Sequence, residues 1–247
     1  RNPQCGSVKS SLLGMLAAVG YRKLWPAHRI DKPVSGLVCM AKDRKSLSRL
    51  MRCFAKQAVR RTYLARVRCE KGPPEGETSI DFPLSILEAD GESSRAFVDV
   101  HGGKPARTVI ERVVSSFTDG TALLVVRLHT GRYHQIRCHL QHVGLPIAND
   151  VAYGGQQLAP LAPIYQDNAI GDLRMMLEKH HCQHCRRCGY FLDVLRGTEP
   201  APLLEPTIWL HSWQKEFPTL GFSCEAPVPP WARNVEGLGH LHSASPL

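Results

Sequence analysis

The amino-acid sequence predicts an α+β fold: a mixed, mainly antiparallel central sheet flanked by helices. Three observations predict it. As far as Tyr153, segments with strand-like and helix-like apolar spacing alternate without the strict βαβ rhythm of a parallel sheet. The apolar runs 107–117 and 121–130 flank Asp119-Gly120, a strong hairpin signal. Apolar residues make up 43% of the 247, enough for a sizeable core and too many for disorder throughout.

In chain order, residues 7–20 read as a helix, with Leu12, Leu13, Leu16 and Val19 sharing one face. GLVCMA (36–41) is a short apolar strand. Asp43 is an N-cap for a helix through Ala58, with Leu47, Leu50, Met51 and Phe54 at helical spacing. Its other face carries Lys45, Arg49, Arg52 and Lys56. TYLARVRC (62–69) alternates as a strand, and KGPPEGE (71–77) is a loop. After the hairpin, Ile136 to Val143 reads as a helix ended by Gly144 and Pro146. From about 155 to 206 the texture turns loop-like, rich in His, Cys and Pro, and reads as an insert rather than a second domain. IWLHSWQKEF (208–217) is a further strand, PVPPWARN closes the ordered part, and a flexible tail begins near 234. The expectation is a single domain over 1–247.

The formal charge of +9 suggests a polyanionic partner; charge alone does not separate RNA, DNA and anionic membrane. Nine cysteines, without framework-like spacing before residue 180, argue for a reducing compartment. No apolar run reaches the roughly 20 residues needed to span a bilayer, so no membrane role is expected. The first residue is Arg, as in a fragment or a processed product, and a leader would then lie outside view. An intracellular protein is expected, with mitochondria favoured over cytoplasm or nucleus. A monomer is favoured, although the sequence does not determine oligomeric state.

Three separated segments concentrate chemistry: HRIDKPVSG (28–36), RRTYLARV with Tyr63, and HTGRYHQIRCHL (129–140). In the first, Asp31 stands between Arg29 and Lys32 before an apolar run. Alone it is an ordinary turn ion pair, or else a carboxylate kept for chemistry. A buried carboxylate beside an arginine stays ionised, because the positive charge offsets desolvation. It is then a nucleophile or a base. Tyr63 alone is a core tyrosine, or a ring on which a flat nucleobase stacks. The third segment clusters Arg132, His134, Gln135 and Arg137 at a strand-to-helix junction.

Taken in order, HRIDKPVSG, TYLA and HTGRYHQIRCHLQHVGLPIANDVAYGG resemble the RluA family of RNA pseudouridine synthases, over about His28 to Gly155. The later IWLHSWQKEF and APVPPWA resemble the eukaryotic branch of that family. The resemblance implies the pseudouridine synthase catalytic fold, an RNA substrate (rRNA or tRNA) and no cofactor. A ribosomal assembly intermediate is a possible partner, with a binding role in which catalysis is dispensable as the alternative function. It implies that Asp31 is the catalytic aspartate and that Tyr63 stacks on the target uracil. It implies that Arg137 pairs with the aspartate, that Arg29 handles RNA and base flipping, and that His134 and Gln135 shape the site. Asp31 would start the exchange by adding to the base, attacking C1′ or removing a sugar proton; these routes stay open. Lys32 is expected to be incidental.

Departures from the family pattern are Val34 where Thr is usual, Arg61 for a frequent Lys, and Ala148-Asn149 before Asp150. Too few residues precede Asp31 for the S4-type RNA-binding domain. In HHCQHCRRCG, Cys182, Cys185 and Cys188 with His180, His181 and His184 have a spacing zinc accepts. A closed site needs four ligands, with Cys224 a possible source. The same residues serve equally as free thiols or phosphate contacts, so the metal stays unassigned. His139 and His142 are read as structural or exposed.

Overall fold

The computed structural model describes residues 12–18, 20–21, 23–88, 94–158, 208–233 and 235. The expectations for the Cys/His-rich insert and its zinc lie outside the described residues, apart from 155–158 and Cys224, and the tail does so apart from Val235, which packs against the cluster that holds Trp213. So do residues 7–11 and Val19 of the first predicted helix.

The chain divides into two compact units. The first takes Cys39–Met51 and the described part of Arg1–His28. It holds α1 (Leu12–Ala18), in which Leu13 and Leu16 are half-buried. It also holds the short antiparallel pair of β1 (Trp25–Pro26) with β3 (Met40–Ala41).

Between those two strands, β2 (Ser35–Gly36) belongs to the second unit. The predicted strand 36–41 is therefore two strands with Leu37–Cys39 between them. The reason is a change of partner: β3 pairs with β1, whereas β2 and the Leu37 amide pair with the last long strand.

Helix α2 (Arg44–Ala55) starts where predicted. The Asp43 carboxylate accepts hydrogen bonds from the Ser46 amide and the Ser46 hydroxyl, both at 2.7 Å. It ends three residues before the predicted Ala58. Gln57 takes the left-handed conformation at φ 53°, and the Ala58 amide bonds back to the Cys53 carbonyl. Leu50 and Cys53 are buried and Leu47 and Phe54 half-buried, but Met51 is exposed. Sulfur chemistry does not decide this: Cys53, not Met51, completes the apolar stripe.

The second unit takes Arg29–Val38, Arg52–Leu158 and the described part of Thr207–Leu247. Its strands are β2, β4 (Arg60–Arg68), β5 (Thr78–Ile80), β6 (Leu84–Leu87), β7 (Arg95–Val98), β8 (Thr108–Ser116), β9 (Thr121–Leu128), β10 (Leu210–Phe217) and β11 (Phe222–Glu225). The main sheet runs β11-β10-β4-β9-β8-β5, antiparallel throughout, and β2 joins β10 in parallel. β6 and β7 form a separate hairpin.

Alternation along the strands gives the sheet two apolar faces. Tyr63, Ala65 and Val67 of β4, with Leu124 and Val126 of β9, pack on one side with Ile136 and Leu140 of α3 (Gln135–His142). Leu64, Leu123, Val125 and Trp213 pack on the other with Ala232. Each fully buried Leu or Ile is worth about 1.5–3 kcal/mol relative to exposure. The α+β fold with a mainly antiparallel central sheet is thus the one observed. Among the described residues no helix is long and apolar enough to cross a membrane.

Candidate active site

Asp31 lies in a tight turn, its carbonyl accepting the Val34 amide at 3.0 Å. The turn is Asp31–Val34, earlier than a turn over Pro33–Gly36, because Ser35 and Gly36 are already strand. Val34 is buried in the cluster that also holds Tyr63 and Ile136. The missing hydroxyl at this position is therefore replaced by an apolar anchor.

Gly36 then lies flat on β10. It has φ 102°, and a Cβ there would land on the Ser212 carbonyl oxygen, so only glycine fits. On the same strand the Ser35 hydroxyl and His211 Nδ1 are 2.8 Å apart. Strand β2 thus sets the height of the Asp31 turn above the sheet.

Helix α3 is buried almost all round, Gln135 through Leu140 all being inaccessible. Its N-cap, His134, is left-handed at φ 48° and ψ 27°. A non-glycine residue held in that region at a helix start is a strained arrangement of the kind that clusters at functional sites. Gln135 is a staple. Its Oε1 accepts from the Thr130 hydroxyl (2.7 Å) and the Arg132 amide (3.0 Å). Its Nε2 donates to the Arg107 carbonyl (2.9 Å) and Thr108 Oγ1 (3.0 Å). Two of these bonds brace the 130–135 loop internally and two anchor it to Arg107 and to Thr108 at the start of β8, so Gln135 shapes the site from behind.

Arg137 is where the structure corrects the sequence reading. Its direct partner is Asp150, not Asp31. Nε donates to Oδ2 and Nη2 to Oδ1, both at 2.7 Å, in a bidentate pair with Asp150 only 1% exposed. The turn carrying Asp150 is closed by the Gly155 amide, which donates to the Asp150 carbonyl at 2.8 Å. Burial pushes the Arg137 guanidinium down, but the Asp150 bonds and charge outweigh it and hold it above its ordinary value.

Asp31 feels this pair at a distance. Burial pushes its carboxyl above the usual range, Arg137 and then Arg29 pull it back, and the Asp150 charge adds to the rise. The net is upward, because Arg137 is already largely neutralised. A carboxylate raised in this way is a stronger base and nucleophile once ionised.

The other residues fall into place around this pair. Tyr63 is buried in the cluster containing Val34 and Ile136, next in chain to Arg137. Arg29 and Lys32 are exposed on either side of half-buried Asp31. His134 reaches inward, its Nε2 3.9 Å from Asp31 Oδ2. His139 is structural as read: its ring nitrogens lie 2.9 Å from Thr108 Oγ1 and from the Phe82 carbonyl.

Three residues went unassigned from sequence. Asp150 and Tyr153 lay in the quoted stretch PIANDVAYGG, and the signal was a carboxylate inside an apolar run. Lys215 is buried on β10, donating to the Leu37 carbonyl at 2.9 Å and to the Ser212 hydroxyl, 6.0 Å from the Tyr63 ring. Its signal was a charge within a strand's apolar alternation. Among the described residues no group of His, Cys, Asp and Glu is arranged to hold a metal ion.

The family model described as RNA pseudouridylate synthase matches residues 14–142. RNA pseudouridine synthase 7 of Oryza sativa subsp. japonica is 29% identical over 92% of this chain and 63% of its own length. The dual-specificity RNA pseudouridine synthase RluA of Escherichia coli K12 is 32% identical over 58% of this chain and 63% of its own. The chain thus spans less than two thirds of the length of these relatives. Human RNA Pseudouridylate Synthase Domain Containing 1 shares the fold, with a TM-score of 0.58 at 19% identity, covering 89% of this chain and 74% of that one. The ordered motifs, the sheet that carries them and these likenesses agree: the chain belongs to the RluA-type RNA pseudouridylate synthase family.

Proposed function

We propose that this chain isomerises uridine to pseudouridine in a structured RNA, rRNA or tRNA, with Asp31 initiating the exchange on a flipped-out base. One observation carries the reading. Of the two aspartates that act on Arg137, Asp150 has both oxygens bonded to it, whereas among the described residues the Asp31 carboxylate meets only a 3.9 Å approach from His134. Asp31 is the carboxylate left available for chemistry.

The reaction breaks the N1–C1′ bond, forms a C5–C1′ bond, and moves one proton from C5 to N1. Atoms and electrons balance within the nucleoside, so the chemistry calls for no oxidant, reductant or phosphate donor. Unstacking the target base costs a few kcal/mol. In this proposal Tyr63 stacks on the extruded uracil, Arg29 holds the RNA at the rim, and Arg137, though paired with Asp150, draws the Asp31 carboxyl back toward its ionised form. The +9 charge and the exposed Lys45, Arg49 and Arg52 on α2, with Lys56 just beyond it, support a phosphate backbone as partner. A monomer in mitochondria is part of the same proposal.

The test is to map pseudouridine in mitochondrial and cytoplasmic rRNA and tRNA from cells with the gene, without it, and with Asp31→Asn. Sites lost in the deletion and in the variant are expected; unchanged modification at every site overturns the reading. The basic α2 face also favours a second reading, an RNA-binding assembly factor whose catalysis is dispensable. Full rescue of a deletion strain by Asp31→Ala would favour it.

A further inference from the structure

Tyr153 sits in the single-turn helix Val151–Tyr153 and is almost wholly buried. Its hydroxyl oxygen accepts the Ala96 amide of β7 at 2.8 Å, and a backbone N–H can only donate. The same hydroxyl lies 3.0 Å from His134 Nδ1. Ala96 uses one lone pair of the phenol oxygen, and Nδ1 is the acceptor within reach of the phenol's single proton. Burial pushes the Tyr153 phenol up to about 12, so the proton stays on it. Burial first, then the charges of Arg137, Arg29 and Arg95, push His134 down to about 4, so the ring is neutral at pH 7. A neutral imidazole whose Nδ1 accepts carries its one proton on Nε2. That nitrogen is the one 3.9 Å from Asp31 Oδ2.

The ring is also held in place. Tyr133 stacks on one face with centroids 3.8 Å apart, and Tyr153 meets it edge-on at 5.6 Å. Arg137 and Arg95 lie over the Tyr153 ring at 4.6 and 5.2 Å. The charged and titratable groups around His134 are therefore Asp31 and Arg29 from the Asp31 segment, Arg137 from α3, Arg95 from β7, and the two tyrosines.

We infer that Ala96 N–H, the Tyr153 hydroxyl and His134 form a one-way hydrogen-bond relay that fixes the His134 tautomer and aims its Nε2–H at Asp31 Oδ2, making His134 and Tyr153 positioning residues for the proposed reaction. The relay ties Oδ2 to His134 and leaves Oδ1 to face the flipped nucleotide. On this inference the 3.9 Å gap tightens to a hydrogen bond in the RNA complex. This deepens the proposal that Asp31 initiates uridine isomerisation and rests on it for its catalytic meaning, but the tautomer is measurable without RNA.

The test uses the full chain labelled with ¹⁵N-histidine at pH 7. The wild type should show His134 protonated at Nε2 alone, and Tyr153→Phe should move population to Nδ1–H. Nδ1–H in the wild type, or no change in Tyr153→Phe, overturns the relay, whatever the activity. For the catalytic consequence, His134→Phe and His134→Gln are compared after circular dichroism shows both folded. His134→Phe should lower kcat about 10- to 100-fold, the loss of one hydrogen bond to a charged group, with KM for RNA unchanged. It should also raise the lower midpoint of the kcat–pH profile, and His134→Gln, which keeps an N–H donor, should restore part of both. Equal profiles for His134→Phe and wild type sink the positioning role. A wild type that makes no pseudouridine while showing the expected tautomer fails the functional reading instead.

Discussion

Two aspartates act on one buried arginine, and they are built for opposite ends. Asp150 is sealed under α3 with both oxygens bonded to Arg137. Asp31 stands in a turn, half-buried, raised by desolvation and answered only at a distance. A bidentate pair is structurally strong and chemically spent. A lone carboxylate in a partly desolvated site costs stability and keeps its reactivity. The contrast teaches that a direct bond to an arginine does not mark the carboxylate proposed for catalysis; the less satisfied partner is the one the proposal uses.

The contrast can be broken at either end. Asp31→Asn should lower pseudouridine formation by about 10²–10⁴-fold, as expected for removal of a positioned acid–base group. Its melting temperature should equal or exceed that of the wild type. The sign follows from linkage: a folded carboxyl raised above its ordinary value contributes stability at low pH that is lost as pH rises through the folded value. Removing the charge relieves that cost at neutral pH. Asp150→Asn should do the reverse, losing about 3–5 kcal/mol in urea unfolding by stranding a buried guanidinium. A stable, inactive Asp150→Asn would overturn the division of roles.

Acid should sharpen it. Burial is the main cause that pushes His134 and His211 down to about 4 from 6.5. The unfolded chain then binds protons that the folded chain refuses, so urea midpoints should fall as pH drops from about 6.5 to about 4. A flat profile over that window would mean the two rings are not desolvated.

The support of Asp31 can be probed next. Gly36→Ala should cost at least about 1–3 kcal/mol in backbone strain and unseat β2 from Ser212, lowering activity with the RNA-binding constant little changed. Ser35→Ala removes only the tether to His211 and should cost about 0.5–1.5 kcal/mol by thermal melting, with activity within a few-fold.

Much of this was legible in the sequence, and the failures have physical causes. The β8–β9 hairpin was readable because Asp119-Gly120 separates two long apolar runs, and Gly120 does take φ 75°. β5, β6, β7 and β11 span only three or four residues, too few for a period to show. GLVCMA read as one strand because apolarity is blind to a change of pairing partner. At the site, motif order singled out Asp31, Tyr63 and Arg137, and the structure brings their segments into one cluster. The partner of Arg137 was not readable, since a linear sequence offers several aspartates and no distances. Lys215 was hidden for a related reason: its burial is made acceptable by the Ser212 hydroxyl of its own strand and by the Leu37 carbonyl, distant in sequence.

The parallel pairing of β2 with β10 also has a consequence for biosynthesis. The Ser35–His211 contact closes a loop of 176 residues. At roughly 5–20 residues per second, about 10–35 s of translation separate the emergence of the Asp31 segment from that of the strand that seats it. Contacts of such long sequence separation are late events in folding. A nascent chain therefore carries HRIDKPVSG without the strand that seats it until β10 has left the ribosome. The arrangement acts as a delay in assembling the Asp31 turn on its supporting strand.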